Sequence, residues 1–368
     1  MELRTVESLC AAVYSGGTPS RKKPEYYEGG TIPWIKTMEI RDGYIYDSEE
    51  KITESGLQNS SAKFVPKESV LIAMYGATVG RVGYLKIDST TNQAACALVV
   101  NSEITNPKWL YYSILATRDS LIDKANGAAQ QNISVSIVRN HQIKYVPLEE
   151  QERIAGILGS LDDKIEANTR LIQTLDSLGE AATRKYLKSV QKTQKLNDIA
   201  HIVMGQSPKG ETLNTEGSGV LFFQGKKDFG FRYPTPRTYT TAATRMAEPL
   251  DILFSVRAPI GALNRSVEAC CVGRGLAAIR SSCGQENTLF YTLKTNPNLW
   301  EKFEGEGTIF SAINKKGLSE LDIPFSETAI SNGVEDFLTS VEQEIFSLEQ
   351  ENLQLAETRD ALIKRLID

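Results

Sequence analysis

The 368-residue sequence contains few of the residue types that metal centres and acid–base catalysis use. It has only two histidines, and its five cysteines show no C-x-x-C spacing. A structural zinc site needs clustered Cys and His ligands, so the sequence predicts no metal site in this chain. An odd number of scattered thiols suits a reducing compartment, where cysteines pack as small apolar residues.

Nucleotide-binding and hydrolase motifs are missing as well. The sequence has no Walker A segment, no G-x-G-x-x-G after a strand, no H-E-x-x-H and no G-x-S-x-G. Asp228-Phe229-Gly230 spells a protein-kinase tripeptide, but no catalytic loop accompanies it. These absences argue against an enzyme.

Long hydrophobic runs are also lacking. The apolar run at 9–13 is shorter than a signal-peptide core, and Ala94–Val100 has the length of a strand rather than of a membrane span. We therefore expect a cytoplasmic protein that does not contact a membrane.

Positive charge is in deficit overall, with a net charge of −5, which at first argues against a nucleic-acid partner. The deficit is local. Residues 1–147 carry 16 basic and 15 acidic residues, and residues 193–325 carry 15 and 13, whereas residues 326–368 carry 3 and 10. Overall charge says little about a local surface, so DNA binding remains possible.

What the sequence does contain is an internal repeat. Several segments recur in the same order, at an offset that falls from 189 to 177 residues. The pairs are Gly17–Ser20 with Gln206–Lys209, Val70–Tyr75 with Asp251–Val256, Asn92–Ala97 with Arg274–Ile279, Gln131–Ser134 with Thr308–Ser311, and Val146-Pro147 with Ile323-Pro324.

A heptad pattern follows each copy of the repeat. The first has one row at Ile154, Leu161, Asn168, Leu175 and Ala182, and a second at Leu158, Ile165, Ile172, Gly179 and Tyr186. The second copy has Val334, Val341, Leu348, Leu355 and Leu362 beside Leu338, Ile345, Asn352, Arg359 and Leu366. Such rows indicate a coiled coil, and a two-fold relation between the repeats makes the two helices antiparallel. A surface helix on a globular core is the alternative.

Short strand-like runs between Gly, Pro and Asn turns, together with helical patterns, indicate an α+β class for both globular domains. The predicted organisation is a first domain at 1–147, a spacer helix at 148–192, a second domain at 193–325 and a C-terminal spacer helix at 326–368.

Basic residues interleave with aromatic ones in the second domain, and a weaker cluster lies in the first. Lys and Arg neutralise phosphates, and Arg can also bind a guanine edge. A solvated basic surface is the alternative, but two similar domains on one spacer favour DNA binding because linked sites gain affinity. The candidate DNA-binding residues are Lys22, Lys23, Lys36, Thr78, Arg81, Gln130, Lys226, Lys227, Arg232, Arg237 and Arg257.

Taken together, these features resemble the specificity subunit of a type I restriction-modification system. The resemblance covers essentially the whole chain and rests on Gly16–Ser20, Ile32–Thr37, Tyr75–Gly80, Asn132–Ser134 and above all Val146–Ile154, which leads into the heptads. It implies two target recognition domains that each read one half of a split sequence in double-stranded DNA. It also implies helices that set the distance between the half-sites and dock two methyltransferase subunits.

The resemblance implies that other subunits catalyse the reactions of the complex. Methyltransferase subunits bind S-adenosylmethionine, restriction subunits use ATP and Mg²⁺, and the chain itself is expected to be non-catalytic and without cofactors. Ile323–Thr328 lacks the Glu-Gln signature at 150–151, so the two methyltransferase contacts are not expected to be equivalent. The two domains differ at most candidate positions, which predicts an asymmetric target. A free-standing bivalent DNA-binding regulator and a protein–protein scaffold are the alternatives.

Overall fold

The computed structural model describes residues 2–124, 132–303 and 312–367. The chain divides into two compact units. Unit 1 comprises residues 1–167 and 352–368, and unit 2 comprises residues 168–351. Each unit therefore combines one globular domain with parts of both long helices.

The globular part of unit 1 mixes short strands with short helices. Its strands are β1 (Glu2–Thr5), β2 (Cys10–Ser15), β3 (Ile32–Ile35), β4 (Gly43–Ile45), β5 (Lys51–Ile52), β6 (Phe64–Val65), β7 (Val70–Ala73), β8 (Val82–Leu85), β9 (Ser89–Thr91), β10 (Ala95–Val100) and β11 (Gln142–Tyr145). Its helices are α1 (Val6–Leu9), α2 (Glu54–Gln58), α3 (Pro107–Ala116), α4 (Arg118–Ile122) and α5 (Val135–Arg139). The first long helix, α6 (Leu148–Leu187), follows.

Unit 2 repeats most of this order, although no α-helix among its described residues corresponds to α2 or α4. Its strands are β12 (Thr193–Lys195), β13 (Ala200–Met204), β14 (Leu213–Asn214), β15 (Val220–Phe223), β16 (Tyr239–Thr240), β17 (Met246–Ala247), β18 (Ile252–Ser255), β19 (Leu263–Arg265), β20 (Cys270–Val272), β21 (Leu276–Ser281) and β22 (Asp322–Pro324). Its helices are α7 (Leu196–Ile199), α8 (Glu286–Thr295), α9 (Lys315–Ser319) and α10 (Thr328–Ser331), and the second long helix is α11 (Val334–Leu366).

The main sheets of the two units share topology and register. Strand β10 lies between β2 and β7, and β21 lies between β13 and β18. Val70 pairs with Tyr84 and with Leu98, whereas Ile252 pairs with Arg265 and with Ile279. A parallel pair of strands recurs too, as β3 with β9 and as β15 with β20. The predicted α+β class and internal repeat are confirmed.

Strand register moves the second and third sequence matches by one residue, because Val70 corresponds to Ile252 and Ala97 to Ala278, and it moves the last two by three. Thr5 pairs with Gln142 and Lys195 pairs with Asp322, so β11 and β22 correspond at an offset of 180 rather than 177. Pro324 therefore lies in a strand, whereas Pro147 follows one. Likewise α5 and α9 begin 180 residues apart, so 132–134 correspond to 312–314. The sequence matches at 308–311 and 323–324 were wrong, because they paired residues by type without the strand register. Residues 304–311 lie outside the described residues.

The heptad rows of both long helices face inward, and none of their members is exposed. In unit 2, Ile172 packs with Val341, Ile345 and Leu348. In unit 1, Leu158 belongs to the same apolar core as Ile363. The described contacts run in opposite directions along the two helices, as in Asn168 with Glu351 in unit 2 and Asp162 with Arg359 in unit 1. The predicted antiparallel pair is confirmed.

The helix that follows the second domain is interrupted near its start. Helix α10 begins at Thr328, 180 residues after Leu148, but it ends before Gly333, whose φ is +72°, and α11 begins at Val334. A residue with this φ cannot continue a right-handed helix. The C-terminal segment at 326–368 is therefore not one continuous helix. The four-segment domain division stays a prediction.

Candidate DNA interface

A glycine-containing loop follows the central strand of each unit. In unit 1 it spans 75–81 after β7, and in unit 2 it spans 257–262 after β18. Gly80 has a φ of +78° and Gly261 a φ of +80°, values that favour glycine. A Cβ at Gly80 would lie 2.5 Å from Cδ1 of Ile122, and a Cβ at Gly261 would lie 2.0 Å from the Trp300 ring. The glycine loop therefore packs directly against Ile122 in unit 1 and against Trp300 in unit 2.

The two loops carry their cations at different positions. The backbone N–H of Ile133 donates to the Met74 carbonyl, and that of Ile313 donates to the Val256 carbonyl, so Met74 and Val256 correspond. The next residue is an exposed Tyr75 in unit 1 and an exposed Arg257 in unit 2. At the far end of the loop, unit 1 has an exposed Arg81 directly after Gly80, whereas unit 2 has Ala262 after Gly261.

A second loop in each unit is closed by an acidic side chain. The Glu39 carboxylate accepts a 2.8 Å hydrogen bond from the backbone N–H of Lys36, and buried Asp228 accepts one of the same length from the N–H of Gln224. Asp228 is therefore a structural cap, which explains the kinase-like tripeptide. The cap leaves Lys226 and Lys227 exposed.

A cavity of about 400 Å³ brings two candidate elements of unit 2 together. Its walls include Lys226 from the capped loop and Pro259–Gly261 from the glycine loop, with Lys294 and Trp300 beside them. The positive charge at this cavity comes from Lys226 and Lys294, whereas the glycine loop contributes apolar residues and backbone.

Seven of the predicted residues are exposed. They are Lys22, Lys23, Arg81, Lys226, Lys227, Arg237 and Arg257. The Lys23 ammonium donates to the Tyr26 hydroxyl over 2.8 Å, and this bond raises the pKa of Lys23, so the group stays charged. A role in DNA binding remains a prediction for all seven.

Arg232 must be removed from the candidates. Its side chain is 2% exposed and its Nε lies 3.2 Å from Glu342 Oε1. Its Nη2 donates to Asp176 over 2.5 Å. Although Arg232 borders the 400 Å³ cavity, its guanidinium is already paired with two carboxylates and offers no free positive charge to a phosphate. Arg232 stands among exposed basic residues in the sequence, so the sequence did not indicate that its side chain is buried.

Thr78 is also wrongly assigned, because it is 5% exposed and its hydroxyl lies 3.4 Å from the Tyr75 carbonyl. Lys36 is half-buried and its ammonium lies 3.1 Å from both Glu49 and Glu50, whose hydrogen bonds raise the pKa of Lys36. Two carboxylates thus already neutralise this cation. Gln130 lies outside the described residues.

Burial shifts the pKa of one histidine and of three cysteines. Burial lowers the pKa of His141 to about 4 and raises the pKa of the Cys10, Cys96 and Cys270 thiols to about 12. Within residues 2–124, 132–303 and 312–367, no group of three or more His, Cys, Asp or Glu side chains is arranged to hold a metal ion. No helix in these ranges is both long and apolar enough to cross a membrane.

Comparison with known proteins agrees with this architecture. The family of the type I restriction modification DNA specificity domain matches residues 1–177. The MjaX specificity subunit of a type I restriction enzyme from Methanocaldococcus jannaschii is 30% identical over all of this chain and 92% of its own length. The chain belongs to the type I restriction enzyme specificity subunits. The EcoR124I/EcoR124II specificity subunit of Escherichia coli is 27% identical over 55% of this chain and 47% of its own.

The fold is shared with a solved specificity subunit. The type I S subunit from M. genitalium has a TM-score of 0.62 at 18% identity and covers 100% of this chain and 96% of its own. The resemblance inferred from the motifs is confirmed, and DNA sequence recognition is the role of this family.

One residue of the strongest motif has a role that its position in the sequence did not show. The side chain of Gln151, buried in unit 1, accepts a 2.8 Å hydrogen bond from the N–H of Asn106, where α3 begins. It also donates to the carbonyls of Ile104 and Val146. Gln151 thus joins α6 to the globular part of this specificity subunit. The Glu150-Gln151 pair was the feature of the sequence that could have indicated this role.

Unit 2 makes this connection with different residues, because Ser331 corresponds to Gln151. Gln285 donates to the Glu327 carbonyl over 2.9 Å, and Glu335 of α11 accepts from the N–H groups of Asn287 and Thr288. The missing Glu-Gln signature therefore reflects a replaced structural contact.

Proposed function

We propose that this specificity subunit reads a bipartite, asymmetric DNA sequence, with one half-site contacted by each globular domain. The supporting observation is the unequal placement of cations on a shared fold. Unit 1 has Arg81 at the end of its glycine loop, whereas unit 2 has Arg257 at the start. Arginine at different places on equivalent loops would reach different base edges.

The capped loops support the same proposal. Counting back from the capping acids, Thr37 and Met38 of unit 1 correspond to Lys226 and Lys227 of unit 2. An exposed methionine offers apolar contact, while lysine offers charge. Two domains with such different surfaces would not select the same half-site.

Sequencing of methylated bases in a strain that carries this subunit and its methyltransferase tests the proposal. We expect a methylated motif with two unlike parts separated by unspecified bases. A palindromic motif, or a motif in one continuous part, would contradict it.

We further propose that the long helices dock two methyltransferase subunits and that the catalytic chemistry lies there. Leu171 and Leu178, 43% and 47% exposed, are one heptad apart on α6 in unit 2. Phe337 of α11 is 39% exposed. Apolar side chains on a helix surface are common at subunit interfaces. S-adenosylmethionine, ATP and Mg²⁺ would then bind to partner subunits.

Co-purification with the methyltransferase tests this second part. Replacing Leu171 and Leu178 by Glu should abolish the complex without unfolding the chain, since both side chains point to solvent. Replacing the exposed polar residues Gln173 and Thr174 by Glu on the same helix is the control. Equal co-purification of all variants would remove this surface from the proposal.

A further inference from the structure

An open cleft of about 270 Å³ lies in unit 2 beside α11. Three apolar side chains at its edge are exposed: Leu250 (53%), Val267 (44%) and Phe346 (36%). Isolated exposed apolar residues are ordinary, but these three border one cleft. We call it the junction cleft.

Buried polar atoms also line the junction cleft. Asn287 is 8% exposed and Glu342 is 5% exposed. Among the described residues, Asn287 Oδ1 and Glu342 Oε2 accept no hydrogen bond, and Arg265 Nε, which lies 3.6 Å from Glu342 Oε2, donates none. Buried acceptors nearly always have a donor, so this cleft is suited to a donor that enters from outside.

The internal repeat shows what kind of group fits here. Strand and helix register make Lys108 of unit 1 correspond to Asn287, and Tyr44 correspond to Tyr233. Lys108 Nζ lies 3.2 Å from Asp163 Oδ2 and 5.5 Å from the centroid of the Tyr44 ring. It also lies directly over Gly159, where a Cβ would come within 2.9 Å of Nζ. In unit 1, Lys108 therefore occupies the space that corresponds to the junction cleft of unit 2.

Unit 2 lacks the charged residues that surround this place in unit 1. Glu68 and Leu250 correspond, and both have a positive φ, of +66° and +70°. The other differences follow the same register: Lys86 and Val267, Lys108 and Asn287, Gly159 and Thr339, Asp163 and Gln343, Glu166 and Phe346. The Tyr ring is kept, these charged side chains are replaced by apolar or neutral ones, and Tyr84 is replaced by the buried Arg265.

We propose that the junction cleft binds a lysine side chain of a protein partner, the group that Lys108 supplies within unit 1. Its volume is below the roughly 300 Å³ of small-molecule pockets, so it suits one side chain rather than a cofactor. The aliphatic stem would pack on Leu250, Val267 and Phe346, as lysine stems do on apolar surfaces. The ammonium would donate to Asn287 Oδ1 and Glu342 Oε2 and lie near the Tyr233 ring.

Glu342 belongs to a network of ion pairs and hydrogen bonds in which cations and carboxylates are equal in number. The cations are Arg184, Arg232, Arg265 and Lys294, and the carboxylates are Asp176, Glu180, Glu342 and Glu349. The entering ammonium would therefore be held by the open acceptor atoms of Asn287 and Glu342 and not by an excess of negative charge.

Methyl NMR on the full-length chain tests this proposal, which does not depend on DNA binding. The probe is Nα-acetyl-lysine methylamide, and the control is the norleucine analogue, which keeps the apolar stem and lacks the ammonium. We expect saturable shifts of the Leu250 and Val267 methyl signals with the lysine probe, and at least tenfold weaker binding of the control. Equal binding of both compounds, or no shift with either, would overturn the proposal.

A second test uses variants in which residues of unit 1 replace the corresponding residues of unit 2. The triple variant Asn287→Lys, Thr339→Gly, Gln343→Asp should fill the cleft from within and abolish the shifts. Val267→Lys, a change at an exposed position, should weaken lysine binding at least tenfold and covers the case in which the triple variant does not fold. Undiminished probe binding by a folded variant of either kind would contradict the assigned position of the lysine.

Discussion

The Tyr112 hydroxyl donates a 2.6 Å hydrogen bond to the Asp162 carboxylate, where α3 meets α6 in unit 1. The corresponding pair in unit 2 is Tyr291 and Glu342, at 2.8 Å. The two carboxylates have different cations: Arg359 of α11 pairs with Asp162, whereas Arg232 of the globular part approaches Glu342. The repeat has kept the phenol–carboxylate contact and changed the residue that compensates its charge.

Replacing Arg232 by methionine should therefore destabilise unit 2 rather than weaken DNA contact directly. The change removes one of the two cations that pair with each of the buried carboxylates, since Asp176 keeps Lys294 and Glu342 keeps Arg265. Breaking a buried ion pair in this way costs about 3–5 kcal/mol. Urea unfolding followed by circular dichroism measures the loss. The control is Lys226→Ala, an exposed change expected to stay within about 0.5 kcal/mol. A folded Arg232→Met variant of unchanged stability would contradict the buried ion pairs.

Replacing Lys226 and Lys227 by alanine should weaken binding to every DNA sequence. Each lysine that contacts a phosphate adds about 0.9 to the slope of log K against log salt, so the double variant should lose about 2 from that slope. Fluorescence anisotropy at several salt concentrations, on the complex with the methyltransferase, measures it.

The matched control replaces Lys185 and Lys188, two exposed lysines near the end of α6. It removes the same charge outside the candidate interface. Equal slopes for the two double variants would mean that Lys226 and Lys227 act only through net charge. Loss of preference at one base pair would instead indicate base contact.

Glu349 should make stability depend on pH. Burial raises the pKa of its carboxyl from 4.5 to about 7, while the Arg232 N–H and guanidinium act in the opposite direction and Glu342 adds to the rise. As pH rises from 4.5, the unfolded chain loses this proton first, so stability falls until about pH 7 and is then constant. Glu349→Gln should remove this dependence.

The variant should exceed the parent protein in stability at pH 8, by an amount on the order of 3 kcal/mol, and match it near pH 4. Urea unfolding at both pH values provides the measurement. Glu351→Gln, a half-buried change on the same helix, is the comparison. If Glu349→Gln gave the same difference from the parent at both pH values, the raised pKa would be wrong.

The sequence predicted the elements that depend on periodicity. The heptad rows located both long helices, and ordered matches such as Gly17–Ser20 with Gln206–Lys209 located the repeat. Sequence matching failed where the pairing of strands determines which residues of the two units correspond. Matching Val146-Pro147 to Ile323-Pro324 was wrong because only the pairing of β1 with β11 and of β12 with β22 shows the offset of 180.

Candidate contacts were harder to predict than elements. Arg232 and Arg237 are five residues apart with similar neighbours in the sequence, yet Arg232 is buried and Arg237 is exposed. The difference comes from carboxylates that are 56 and 110 residues away along the chain, Asp176 and Glu342. Local composition carries no information about partners at such separations.

Replacing Gly261 by alanine should reduce sequence-specific binding while preserving the fold. The residue has a φ of +80°, and an added Cβ would stand 2.0 Å from the Trp300 ring, so the loop that carries Arg257 must move. Phosphate contacts tolerate such a shift better than base contacts, because base edges require defined geometry. We expect at least tenfold weaker binding to the methylated motif and little change with unrelated DNA. Gly210→Ala, where the added Cβ meets no atom within 4 Å, is the control and should bind both as the parent does. Equal losses on the two DNAs would show that the loop contributes charge and does not read sequence.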